Sequence, residues 1–146
     1  MGDVITSGIV SLDGAQKIVA TVLENARGRE LNIAVAVTGP AGDLRAFARM
    51  DGVSALAGET ARRKCWTVIM TGRNTREFAE RIGGYLEEEP GLFHGMIRIG
   101  DIAAFAGGFP IKANGQTVGA VGVSGSSSDD DNQLAEEGAG VIGANS

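Results

Sequence analysis

The sequence predicts an α+β domain built on a mainly antiparallel sheet, and three observations carry that prediction. Two β-rich runs between Gly107 and Gly125 flank Asn114-Gly115, the dipeptide favoured in tight type I′ turns because both central residues need φ > 0. A second pair of β-rich runs, 32–38 and 44–50, is joined by Gly39-Pro40-Ala41-Gly42-Asp43, a turn by composition. Helical periods fill the chain around the two hairpins, whereas a parallel sheet would alternate strand and helix strictly.

Residues 1–10 show no period and read as a loose arm or a contact swapped with another chain. Ser11 reads as an N-cap, and Ala15, Ile18, Val19, Val22, Leu23 and Ala26 follow at amphipathic helical spacing, with Gly28 near the end. The run 32–38, NIAVAVT, is β-branched and almost free of charge, as for a strand covered on both faces. In 44–50, Leu44, Ala46, Ala48 and Met50 share one face, and Arg45, Phe47 and Arg49 the other. Ser54 caps a helix over 55–71 with a stripe of Ala57, Ala61, Lys64, Cys65, Val68 and Ile69, ended by Gly72.

Asn74-Thr75-Arg76-Glu77 resembles a capping box, and Phe78, Ile82 and Leu86 give the next helix one apolar face, weakened by Gly83-Gly84. Glu87 to Gly91 is a solvated break leading into Leu92-Phe93-His94-Gly95. Met96 to Ile99 reads as a short strand, which makes a sheet of about five. Residues 100–106 fit a strand or a helical turn equally. In the last strand Gly119 and Gly122 weaken pairing unless something must approach the backbone closely. Ser126 to Ser128 offer caps, Asp129 to Asp131 complement a helix N-terminus, and Leu134, Ala135, Gly138, Ala139, Val141 and Ile142 form the inner face of a final helix. The acidic run lacks the DxDxDG spacing and the distal Glu of a calcium loop.

With 146 residues, 43% of them hydrophobic, the chain has material for one core, so 1–146 reads as a single domain. Its 23 glycines and 5% aromatics imply turns and close small-residue contacts rather than a core of large rings. A net charge of −5 argues against nucleic-acid binding, which needs a basic surface. Cys65 is alone, so no intrachain disulfide and no CxxC zinc site exists. No basic-plus-apolar leader and no long apolar run is present, which predicts no membrane association and a cytoplasmic chain, although a leader already removed would leave no trace.

Several segments together resemble the GlcG/HbpS-like family, also called the haem-degrading or DUF336 family, which includes PduO C-terminal domains. They are SLDGAQKIV at 11–19, NIAVAVTGPAGDLRAFARMDG at 32–52, ETARRKCWT at 59–67, GGFPI at 107–111 and GAVGVSG at 119–125. The resemblance implies a profilin-like sandwich, with a central antiparallel sheet and helices on its faces. It also implies self-association into rings or larger homo-oligomers, and haem binding in some members. The haem ligand differs among members, so it transfers no ligand to a numbered position here.

His94 is the only histidine, which excludes HExxH zinc sites and bis-histidine haem within one chain. A haem with one axial histidine, closed by Met96, a water or another subunit, stays open. The plain reading of His94 is an ordinary loop residue; its place between Pro90-Gly91 and the final sheet region favours a pocket lip. Arg49, Arg98 and Lys64 suit haem propionates or a small carboxylate, with solvated surface charge as the plain alternative. Cys65 lies on the apolar stripe and reads as a buried, inert thiol. Trp66, Phe47 and Tyr85 read as core residues, and Ser124 lacks the final glycine of a nucleophile elbow.

Two functions follow from this set. The first is a haem-binding or other tetrapyrrole-binding oligomeric accessory or sensor protein, with His94, Met96, Arg98, Arg49, Lys64 and Gly107-Gly108-Phe109 about the ligand. The second is a small lyase or isomerase for a compact carboxylic acid, aromatic acids included, with His94 as catalytic acid/base and an arginine holding the carboxylate. A purely structural oligomer subunit is the third reading, if neither holds.

Overall fold

The computed structural model describes residues 2–143; Met1 and 144–146, the ends of the expected arm and domain, lie outside them. Helix α1 (Leu12–Gly28) is capped by Ser11, whose hydroxyl accepts from the Gly14 amide. Strands β1 (Ala34–Thr38) and β2 (Leu44–Arg49) form the first hairpin. Helix α2 (Ala55–Thr71) is capped by Ser54 and closed by Gly72 at φ 72°. Three shorter helices follow: α3 (Thr75–Gly83), α4 (Tyr85–Glu88) and α5 (Pro90–Met96). Strands β3 (Gly108–Ala113) and β4 (Gln116–Ser124) precede helix α6 (Ser128–Gly143).

Four antiparallel strands lie in the order β2-β1-β4-β3. Period-two alternation sorts the two central strands by size. Val35, Val37, Val121 and Val123 face α1 and α6, where Ile18, Val22 and Leu134 complete the larger core. Ala34, Ala36 and Ala120 face α2, against Ala61, Cys65 and Val68. The small face lets α2 come close. A Cβ on Gly122 would collide with the Ala61 carbonyl, and one on Gly119 with the Thr38 carbonyl, so both glycines serve backbone packing. Asn114 at φ 52° and Gly115 at φ 76° are the pair of positive angles expected for the hairpin turn.

The sheet has four strands where about five were expected. Met96 is the last residue of α5, and Ile97 to Gly100 form turns. Pro90 explains the difference: in the first turn of α5 its fixed φ starts a helix, and Phe93 and Ile97 then fall one turn apart on one face. His94 is therefore helical rather than in a loop. The helix expected to run through Leu86 breaks at Gly83-Gly84, leaving Leu86 exposed. On β2, Ala46, Ala48 and Met50 pack on the α1 side, while Leu44 is exposed beside the bulge at Val37/Thr38.

Candidate functional site: two cavities divided by Phe105

An apolar cavity of about 470 Å³ opens between α3, α5 and the segment 102–105. Asn74 caps α3 by accepting from the Glu77 amide, and the helix turns Phe78 and Ile82 inward with Ala79 beside them. Phe93 and Ile97 supply the α5 wall, and Ile102, Ala104 and Phe105 the third. That third wall is held in place where the Ala103 amide donates to Thr67 Oγ1 at 2.8 Å. His94 is exposed and is not one of the cavity's lining residues; its ring stands edge-on to Phe93 at 5.2 Å, and it makes no hydrogen bond or ion pair among the described residues. Met96 is half-buried on the same helix; Arg98 follows, exposed and without an ion-pair partner among the described residues.

On the other side of Phe105 lies a cleft of about 390 Å³ of mixed character, with Ser54, Thr60, Ser124 and Ser126 beside Leu56, Ala57 and Ala106, reaching Lys64 and Asp131. Lys64 is not a surface cation. Its Nζ donates to the Val123 carbonyl at 2.7 Å and lies 3.5 Å from Asp131 Oδ2, both side chains being almost fully enclosed. Asp131 Oδ1 accepts from the Ser126 amide at 3.0 Å. Burial pushes the Lys64 ammonium down and the Asp131 carboxyl up, and each is pulled back by the other's charge.

Gly107 and Gly108 belong to this pair rather than to the surroundings of His94. At φ 120° Gly107 passes so near that a Cβ would meet Lys64 Nζ at 2.8 Å, and its carbonyl accepts from the Val123 amide. The Gly108 amide donates to Thr75 Oγ1 at 2.9 Å, and Phe109 packs on the larger core. Arg49 sits elsewhere, at the β2 edge, donating to the Val53 carbonyl at 3.2 Å and lining two other cavities. Cys65 is fully enclosed, its thiol donating to the Ala36 carbonyl at 3.3 Å and pushed up to about 12 by burial.

Sequence reasoning missed Phe105 and Asp131. Phe105 sat in a run that fitted strand and helix equally, yet it is 60% exposed and walls both cavities. Asp131 was read only as a helix-dipole complement; its signal was an unbroken acidic triplet whose third member falls on the inner face with Leu134 and Ala135. Among the described residues no three His, Cys, Asp or Glu side chains cluster to hold a metal ion, and no helix is long and apolar enough to cross a membrane.

A family model for haem-degrading HbpS-like proteins matches residues 10–140. Protein GlcG of Escherichia coli K12 is 28% identical over 119 residues, covering 82% of this chain and 84% of that protein. A double mutant of HbpS from Streptomyces reticuli has the same fold at TM-score 0.84 and 30% identity, over 98% of this chain and 93% of that one. The PduOC:haem complex superposes at TM-score 0.79 over 92% and 95% of the two chains, a likeness of fold at 22% identity.

Proposed function

The chain belongs to the family of haem-degrading HbpS-like proteins, and from that premise we propose that it binds haem or a related tetrapyrrole as a cytoplasmic, homo-oligomeric accessory or sensor protein. The observation that carries this reading is the apolar cavity of about 470 Å³, with exposed His94 edge-on to its wall residue Phe93. Planar tetrapyrroles need apolar walls around the macrocycle, one nitrogen or sulfur donor for iron, and a cation for the propionates.

The residues present fit that need. Ile82, Phe93, Ile97, Ile102 and Phe105 would contact the macrocycle; His94, whose imidazole has no hydrogen-bond partner among the described residues, would hold the iron; and unpaired Arg98 would take a propionate. Bound haem would bring a redox-active iron to this part of the surface. Lys64, Gly107, Gly108 and Phe109 support the neighbouring segment from behind rather than reach the macrocycle. The lyase or isomerase reading asks for a carboxylate clamp beside His94; Arg49 lies away at the β2 edge, so Arg98 would have to supply it.

The test is a hemin titration followed in the Soret band. Saturable binding at one hemin per chain, with the Soret maximum shifted or lost in His94→Ala while that variant keeps its melting temperature, is the expected result. No spectral change at stoichiometric hemin overturns the reading.

A further inference from the structure

We propose that residues 2–9 form a donor arm that adds to the open β2 edge of a second copy of this chain. This deepens the homo-oligomer reading above and rests on it. Only Val10 of the arm is anchored: its amide donates to the Val118 carbonyl at 2.9 Å and its side chain is buried. The preceding residues are exposed throughout, including Val4 at 84%, Ile5 at 79% and Ile9 at 62%. Three large apolar side chains on eight residues of unpaired backbone are poorly placed in water; in its own protomer the arm's end touches Val118 through Gly8, while Val4, Ile5 and Ile9 stay exposed.

The β2 edge has the complementary shape. It is an outermost strand, so no strand lies on its far side, and Leu44 and Phe47 are exposed along it. Grooves flank it on both faces of the sheet. One of about 340 Å³ lies against α1, with Val19, Leu23 and Ala46 in its walls; the other, of about 310 Å³, lies against α2, with Leu44, Phe47 and Ala55. Strand addition needs this arrangement, because an added strand sends alternate side chains to opposite faces. Extended, the arm points Ile5 and Ile9 one way and Val4 the other.

Length and charge agree. Eight extended residues reach roughly 26 Å and the six of β2 roughly 20 Å, at about 3.3 Å per residue. Arg45, in the α1-side groove, has a buried Nε without a hydrogen-bond partner, and the arm supplies Asp3 and a row of backbone carbonyls. Arm and edge are different surfaces, so the contact closes either reciprocally in a dimer or around a ring.

The experiment measures native mass by light scattering for the full chain, for a chain lacking residues 2–8, and for Ile5→Asp/Ile9→Asp. The truncated chain is expected to fall to the mass of one chain, and the double variant to dissociate at concentrations at least tenfold higher than the parent, both with unchanged circular dichroism. Mixed chains carrying only Ile5→Cys or only Leu44→Cys, joined by a flexible bis-maleimide, should give a two-chain product that neither yields alone; Cys65 is enclosed and does not compete. An oligomer whose mass survives arm removal, or a product formed equally well by either variant alone, overturns the arm proposal and leaves self-association standing. A full chain that stays monomeric at every concentration overturns both.

Discussion

Lys64 and Asp131 join helices that lie on opposite faces of the sheet. The 3.5 Å ion pair between α2 and α6 passes the end of the sheet where β4 finishes, and the Val123 carbonyl and Ser126 amide complete the hydrogen bonding of the two charges. Gly107 lies against the pair, and the chain before it carries Phe105, the wall shared by both cavities. The buried pair thus fixes the floor from which the Phe105 wall departs, and it does so only while both charges remain.

Removing one charge strands the other. Lys64→Met leaves Asp131 enclosed without its cation, which costs about 3–5 kcal/mol for a broken buried pair. The double variant Lys64→Met/Asp131→Leu should recover most of that, short of about 1 kcal/mol for the lost Ser126 hydrogen bond. Denaturant midpoints of the parent, both single variants and the double give the coupling directly. A single variant that costs under about 1 kcal/mol would show that the pair does not hold the two faces together.

Opposite outcomes are expected from one substitution at two glycines. Gly122→Ala puts a Cβ into the Ala61 carbonyl, forcing α2 off the sheet, and overpacking of this kind costs about 1–3 kcal/mol. Gly140→Ala, on an exposed face of α6 with nothing within 4 Å, should stabilise by about 0.5–1 kcal/mol through helix propensity. Thermal unfolding of the two variants reads both signs. Equal shifts would remove the close-packing account of the small-residue face.

Phe105→Ala separates binding from folding. At 60% exposure the ring contributes little to the core, so the melting temperature should move by only a degree or two, about 0.5 kcal/mol. As a wall of the apolar cavity it should matter to a flat apolar ligand: hemin affinity is expected to fall about tenfold, roughly 1.4 kcal/mol. Unchanged affinity in a well-folded variant would move the ligand away from this wall.

The features legible in the sequence are those set by neighbours along the chain. Ser11, Ser54 and Asn74 cap their helices through amides three residues on, and Asn114-Gly115 turns the hairpin by its own backbone angles. The β-branched, nearly charge-free run 32–38 foretold a strand covered on both faces, and all five residues of β1 are buried. Residues 96–99 misled because a β-rich tetrapeptide carries no sign of Pro90 starting a helix upstream. Lys64 looked like one cation among three because its partner lies beyond two hairpin strands and a turn. Phe105 had no local signal: its role comes from the Ala103–Thr67 hydrogen bond that turns the segment outward.

Acid should loosen the attachment of that segment from the α2 side. Glu59 accepts from Arg62, the larger cause, and from Arg63, and these hold its carboxyl down from 4.5 to about 2. Arg62 also reaches Asp101 at 3.3 Å, tying α2 to the chain leading to Phe105. A folded-state pKa below the unfolded one means the unfolded chain binds the proton more readily, so the contribution is complete above pH 4.5 and is lost as pH falls towards about 2. The side chain is 44% exposed, so screening reduces the contribution to about 0.5–1 kcal/mol. Glu59→Gln should therefore be less stable than the parent by that amount at pH 7, and the two should converge near pH 2 in urea titrations. A difference that persisted at pH 2 would assign the loss to side-chain packing instead of charge, because by then the parent carboxylate is substantially protonated and its pull on Arg62 and Arg63 is fading.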